Sequence, residues 1–539
     1  MLAYWNDTWY LQYLASEWHE HGKPTQTYLL SSRDGRSWTA PQRIFPAIEY
    51  EPGKFTINHQ RMGFYAAPNG RLLTLAFYGI PVGRVDSPNS GHGIGRAVRE
   101  IKADGTLGPI HFIRAMPHAG YPMEKAARWY PSYRDSADAG FREACDALLA
   151  NKLMTQQWWE EDRAEDGFFS LSDSAAPRFS NKALSFYRRA DGVVVGLWKD
   201  EWAALTRDEG KTWSTPVKIA TKPTSTAKEW AQRTPDGRFA LLYNPMPDIS
   251  FYRYPLAVIT SDDGIVYDRM LVVQGEVPAM RFDGHHKDRG SNYVRGIADG
   301  NGRPAGPTFP VAYSMNKEDI WISHIPSPIA HQATGPVNDT FESADALRPW
   351  NLYMPLWAPI DLAEVAEGRR VLRLRDRDPH DYAKAVRVFP ETEKATIEFD
   401  LNVQDLRQGR LEIDVLDRQG NRPFWMALEG NFNLLQVSSG SHLVSSLPRY
   451  KPGSWMKFRL EVDTRIGRTD VYLNGELVLA GAQFYQDATS IERLELRTGY
   501  YRRELQHEHL HRPDGAPLFA RPDLEVALSE VWLDNLSVR

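Results

Sequence analysis

An all-β chain in two parts is predicted: a β-propeller of seven blades, with six as the alternative, followed by a β-sandwich. The prediction has three supports. A short phrase recurs along the chain, strand-turn-strand units follow one another from residue 3 to about 326, and the pattern changes beyond the cluster Pro326-Ser327-Pro328.

The recurring phrase is TRDEGKTW at Thr206–Trp213, TSDDGIVY at Thr260–Tyr267, and a shortened SRDGRSW at Ser32–Trp38. The Asp suits a side chain that accepts turn N–H groups. The Gly supplies a backbone conformation closed to other residues, and the aromatic wedges between strands of a hairpin. Each copy resembles the Asp box of sialidase-like β-propellers, a structural staple usually remote from chemistry.

The hairpins come next. Phe64–Ala76 turns at Pro68-Asn69-Gly70, Ala183–Leu197 at Asp191-Gly192, and Trp230–Leu242 at Pro235-Asp236-Gly237. Apolar residues alternate on either side of each turn. The second and third boxes lie about one blade apart, ~40–55 residues, so roughly 325 residues hold six or seven blades. From about 119 to 163 the rhythm breaks. Met123–Tyr130 and Phe141–Leu149 carry apolar residues at helical spacing. This predicts a helical insertion, either covering a site or decorating one face. The first domain is therefore placed at 1–330.

Residues 338–539 form the second domain. Ala395–Leu401, Arg410–Leu416, Ser454–Asp463 and Asp470–Leu479 alternate as strands, with a hairpin turn at Asn474-Gly475. The phrase WMKFRLEVDTRIGRTDVYLNGEL resembles concanavalin-like jelly rolls. Such a module binds carbohydrate or serves only as a packing partner.

Bulk composition narrows the function classes. Of 539 residues, 25% are charged and 42% hydrophobic, as in ordinary globular proteins. Aromatics reach 12%, with 17 Trp and 24 Tyr, which suits β architecture or a sugar-binding surface. A net charge of −5 argues against nucleic acid, and no window approaches the ~20 apolar residues of a membrane span. Cys145 is the only cysteine, so no internal disulfide forms. No signal peptide is visible, and Ala3–Tyr13 already reads as a strand.

Four segments could carry chemistry. Ile57–Phe64 holds His59, Gln60 and Arg61: a proton carrier and a guanidinium able to grip a carboxylate. Alternatively it is a strand-entry loop with a backbone-satisfied His. Ser90–Glu100 sets His92 among glycines, with Arg96 and Arg99 as candidate carboxylate ligands. It lacks the βαβ context of a nucleotide loop. Phe282–Gly296 holds His285, His286 and Asp288, whose spacing argues against a metal. In the same segment Tyr293 and Arg295 share a face by strand period, a pairing suited to an acidic sugar. His19 and His21 also share a strand face, with a solvated loop as the favoured reading. No GxSxG elbow occurs, nor the sialidase set of an arginine triad, a Tyr nucleophile and an N-terminal acid.

Several longer phrases resemble one family: NHQRMGFYAAPNGRLL from Asn58, GIGRAVREI from Gly93, YVRGIADGNG from Tyr293, and YSMNKEDIWISHIPSP from Tyr313. VNDTFES from Val337 and WNLYMPLWAP from Trp350 carry the likeness into the second domain. They are similar to propeller enzymes that cleave L-rhamnose α-1,4-linked to D-glucuronate on arabinogalactan, grouped as polysaccharide lyase family 42 and glycoside hydrolase family 145. The resemblance implies a seven-bladed propeller with a concanavalin-like domain and a His-dependent lyase or hydrolase. Some members carry Gln in place of the hydrolytic His, a position assigned here to His21.

Elimination is the favoured chemistry. Arginine neutralises the uronate carboxylate, a His or Tyr takes the C5 proton, and a second donor assists the departing rhamnose oxygen. His59 takes one acid/base role, and His92 or Tyr293 the other. Gln60, Arg61, Arg96, Arg178 and Arg295 bind substrate. The alternatives are hydrolysis of the same bond and a non-catalytic sugar-binding propeller. No cofactor is required, although a structural Ca²⁺ on the propeller axis is left open. The expected partner is an acidic oligosaccharide or polysaccharide, met in an extracellular or periplasmic setting.

Overall fold

A computed structural model describes residues 1–16, 24–59, 63–80, 93–158, 183–219, 222, 224, 227–246, 252–278, 280, 282, 287–304, 306–365, 368–378, 381–407, 409–499 and 527–539. The chain forms two compact units that divide between Ile329 and Ala330.

The first unit is a β-propeller. Among the described residues it has five blades, where seven or six were predicted. Blade 1 is Leu2–Trp5, Thr8–Ser16, Thr25–Ser32 and Gln42–Phe45. In blade 2 the short strands Ile57–His59 and Phe64–Ala66 share the place of first strand, before Leu72–Gly79, Gly93–Ile101 and His111–Ala115. Blade 3 is Ser185–Arg188, Val194–Trp198, Trp202–Thr206 and Val217–Lys218. Blade 4 is Trp230–Arg233, Phe239–Tyr243, Leu256–Ser261 and Asp268–Gln274. Blade 5 is Arg289–Arg295, Thr308–Met315 and Asp319–Pro326. The strand Tyr252–Arg253 leaves the middle of blade 4 and pairs in parallel with Arg289 and Gly290. The predicted count divided the chain by an average blade length. It did not subtract the helical insertion, itself predicted, whose described helices and short 3-10 turns lie between Pro117 and Trp158.

Central strands of the blades are buried on both faces. Leu72–Gly79 and Val194–Trp198 are buried at every position, because each blade packs between neighbours. Tyr10, Phe45, Tyr78 and Phe112 join blades 1 and 2. Tyr187, Leu197, Phe239 and Leu241 join blades 3 and 4. Leu2, Trp9 and Ala312 join blades 1 and 5. Asn301 ties three blades together. Its backbone O accepts from Tyr4 N at 3.1 Å. Its side chain donates to Phe64 O at 2.8 Å and accepts from Ala66 N at 2.9 Å. Gly302 beside it has φ +85°, and a Cβ there would lie 1.7 Å from Tyr4 O.

The three boxes fold as predicted, each after the third strand of its blade. Asp34 Oδ1 accepts from the N–H groups of Arg36 and Ser37 at 2.8 and 2.7 Å. Asp263 does the same for Ile265 and Val266, and Asp208 for Thr212. The glycines at 35, 210 and 264 all have positive φ. The Thr212 hydroxyl and N–H hold the Asp208 carboxyl down at about 2. Trp213 packs edge-on against Trp198 at 5.1 Å.

The predicted helical insertion contains α1 (Met123–Ala126), α2 (Ala139–Ala150) and α3 (Lys152–Trp158). α2 buries Phe141, Ala144, Cys145 and Leu148, one helical stripe, and is capped by Asp138, which accepts from Phe141 N. Arg71 bonds Asp138 at 2.8 Å, and Gln156 of α3 donates to Gly210 O at 2.8 Å. The helices therefore brace blade 2 and the box of blade 3.

The second unit holds two antiparallel sheets. One runs Ile360–Glu364, Arg370–Asp376, Ser529–Val538, Lys394–Asp405, Trp455–Asp463, Arg468–Leu473 and Glu476–Gln483, with Val337–Asp339 also paired to Ser529–Val538. The other runs Trp350–Tyr353, Lys384–Thr392, Ile491–Thr498, Arg410–Leu416, Phe424–Glu429, Leu434–Ser439 and His442–Val444. Both contribute to one apolar cluster that includes Phe399, Phe458, Ile413 and Leu496. Asn474 and Gly475 both have positive φ, as a tight two-residue hairpin turn requires.

Candidate functional site

Antiparallel blades sort their connections. Turns after the first and third strands lie at one end; the turn after the second strand and the approach to the first lie at the other. The boxes mark the first end. Asn69 and Arg71, which hold α2, follow the first strand of blade 2, so α2 sits at that end as well.

At the other end blades 4 and 5 converge a charged cluster. Lys222, Lys228 and Glu229 precede the first strand of blade 4. Arg253 arrives on the connection after its second strand. Asp288 precedes the first strand of blade 5, and Lys317 follows its second. Tyr293 stands among them, 43% exposed. The Lys228 Nζ lies 4.3 Å from its ring centroid and the Lys317 Nζ 5.2 Å. Asp288 Oδ2 is 3.0 Å from Lys317 Nζ and 3.6 Å from Arg253 Nη2. Burial pulls the Lys317 ammonium down, yet Tyr293 and Asp288 outweigh it and hold its pKa above the ordinary value. Glu229, only 1% exposed, pairs through Oε2 with Lys222. Among the described residues its buried Oε1 has no hydrogen-bond partner, and burial pushes the carboxyl up, opposed by Lys222.

The strand that carries Tyr293 is irregular. Asn292 pairs with Ser314 and Arg295 with Ala312, so three steps on one strand match two on the other. Tyr293 takes up the extra residue with φ +60°. The bulge overturns the predicted shared face. Arg295 falls on the buried side with Asn292, while Tyr293 turns outward. Arg295 Nη1 donates to Val294 O at 3.0 Å and Glu229 O at 3.3 Å, and its guanidinium lies 5.6 Å from the Trp230 ring. Gly290 permits the close approach of Arg253, since a Cβ there would lie 2.5 Å from Arg253 O.

Away from this cluster, Arg96 is buried in blade 2, its guanidinium 5.2 Å from the Phe77 ring. The register aligns His59 and Arg96 with Phe77 in one cross-strand row. Arg99 donates to Gly108 O and Ile44 O at 2.8 Å, a structural staple in place of the predicted ligand role. His19, His21, Gln60, Arg61, His92, Arg178, His285 and His286 lie outside the described residues. Among the described residues no group of three or more His, Cys, Asp or Glu could hold a metal ion. Sequence reasoning missed Lys228, Glu229, Arg253 and Lys317. They carry no motif, and their only signal is charge at the edges of apolar strands.

A solved structure described as "Sialidase" matches the whole chain. Identity is 36%, the TM-score is 0.88, and 100% of this chain and 49% of that one are covered. The chain thus spans about half the length of that relative. A family model for a BT_1020-like N-terminal beta propeller matches residues 1–175, and one described as "Sialidase-like, CBM domain" matches 350–509. The chain combines a sialidase-like β-propeller with a sialidase-like CBM domain. A mutant of Trypanosoma rangeli sialidase displaying trans-sialidase activity aligns at 11% identity and TM-score 0.35, covering 100% of this chain and 90% of its own, too distant to carry an argument. No curated protein matches the chain.

Proposed function

We propose that this chain is a carbohydrate-active enzyme that cleaves a glycosidic bond beside a sugar carboxylate. The observation that carries the reading is Tyr293, exposed on a bulge between two lysine ammonium groups. The Lys317 ammonium interacts with Tyr293 by charge and by a side-chain hydrogen bond. A carboxylate nucleophile would be repelled by an acidic sugar, whereas a phenol is neutral until it reacts. Tyrosine is the known departure from the paired carboxylates of most glycosidases. In this reading a base takes the phenol proton as the Tyr293 oxygen attacks the anomeric carbon, and an acid protonates the departing sugar oxygen. Water then cleaves the glycosyl-tyrosine, its hydroxyl going to the anomeric carbon and its proton to the Tyr293 oxygen. Lys228, Lys317 and Arg253 hold the substrate carboxylate. Hydrolysis of an acidic sugar also agrees with the sialidase name of the 36%-identical relative.

The second reading is elimination at L-rhamnosyl-α-1,4-D-glucuronate ends. It is supported by the family resemblance of the phrases from Asn58, Gly93 and Tyr293, and by the row that aligns His59 with Arg96. In it His59 and His92 move protons, while Gln60, Arg61, Arg96, Arg178 and Arg295 bind the uronate. We read the second unit as a concanavalin-like sandwich, and a polymer-end substrate would place the enzyme outside the cytoplasm.

The deciding experiment incubates the protein with a rhamnosyl-glucuronate oligosaccharide and, separately, a sialyl oligosaccharide. Free rhamnose or sialic acid without rising ultraviolet absorbance supports hydrolysis. Rhamnose with the absorbance of an unsaturated uronate supports elimination. Absence of any product from a wider panel of acidic glycans leaves only a sugar-binding propeller.

A further inference from the structure

The outer face of the larger sheet in the second unit carries two tryptophans that the core does not use. Trp455 and Trp532 are absent from the apolar cluster shared by the two sheets. Both are partly exposed, and their rings lie 6.5 Å apart. The register puts them in one row across five neighbouring strands: Asp361, Arg373, Trp532, Asn402 and Trp455. At ~4.8 Å per strand that row is about 19 Å long.

We propose that this row is a saccharide-binding surface for neutral sugar units, separate from the Tyr293 cluster. Indole rings accept the apolar face of a pyranose, and fixed polar groups beside them accept and donate to hydroxyls. The polar groups are held in place. Arg373 makes two 2.8 Å bonds to Asp361, and Arg375 a third to the same carboxylate. Trp532 Nε1 donates to Glu530 at 2.7 Å. Gln404 donates to Asn402 Oδ1 at 2.8 Å, and Arg369 stacks 4.3 Å from the Trp455 ring. Asp361 and Glu530 together offset the charges of Arg373 and Arg375 at the end of the row, so hydroxyls rather than carboxylates are the groups it recognises. The proposal is supported by the match of residues 350–509 to a sialidase-like CBM domain and is independent of turnover at Tyr293.

Affinity electrophoresis of the full chain in gels containing gum arabic, larch arabinogalactan or pectic galactan tests it. The wild type should be retarded by at least one polymer. Trp455→Ala and Trp532→Ala should each weaken retardation at least about tenfold, while Tyr293→Phe remains retarded. Trp455→Phe keeps the ring and should retain most of the binding, which separates lost contact from lost folding. Retardation by none of the polymers would overturn the proposal. So would retardation unchanged in both alanine variants, or lost in Tyr293→Phe alone.

Discussion

Tyr293 is exposed because its strand has one residue too many. The bulge turns the phenol out of a blade whose neighbouring positions are buried. Tyr293→Phe removes only the oxygen. Turnover should fall on the order of 10³-fold with KM little changed; a variant with wild-type kcat would remove Tyr293 from the chemistry. Lys228→Met removes a cation 4.3 Å from the Tyr293 ring and should raise KM for an acidic substrate about tenfold with kcat little changed. An unchanged KM would make Lys228 a packing residue.

Elements set the second scale. Gly290 has φ +93° and touches Arg253 O, so two constraints meet at one backbone position. Gly290→Ala should unseat Tyr252–Arg253 and weaken substrate binding at Arg253. A crystal structure of the variant with that pairing intact would refute this. In the second unit Asp376 accepts from the Thr498 hydroxyl at 2.6 Å and Asp378 N at 2.8 Å. Burial nevertheless pushes its carboxyl from 3.8 up to about 6. A raised folded-state pKa means the folded protein holds this proton more tightly than the unfolded chain. The resulting stability is fully present below about 3.8 and is lost as pH rises through about 6. Asp376→Asn should therefore flatten the pH dependence between these limits by about 2–3 kcal/mol. Urea midpoints of both proteins from pH 4 to 7 would show it, and parallel curves would count against it.

At the scale of the whole propeller, blade 5 closes onto blade 1 through an apolar cluster and a set of polar ties. Leu2 bridges Ile297 in parallel, and Asn301 joins blades 1, 2 and 5. Asn301→Ala leaves Phe64 O and Ala66 N without their partner. It should cost about 2–4 kcal/mol, read as a lower unfolding midpoint with the boxes of blades 3 and 4 unaffected. Equal loss of protection in every blade by hydrogen exchange would instead make the propeller a single cooperative unit.

Legibility followed the range of the forces. Box turns, hairpins at 68–70, 191–192 and 235–237, the α2 stripe and the Asn474-Gly475 turn depend on residues close in sequence. Their chemistry is local, so the order of residues suffices to specify them. The blade count was less legible, because it divided roughly 325 residues by an average blade length with the predicted helical insertion still among them. The Tyr293 cluster was half legible. Tyr293 and Arg295 were visible as a pair, but a one-residue bulge parted them, and Lys228, Arg253 and Lys317 come from connections up to 89 residues apart in sequence (317 − 228). Only the ring of blades brings those charges to one end. Long-range packing governs that meeting, since sequence spacing carries no record of which loops share an end.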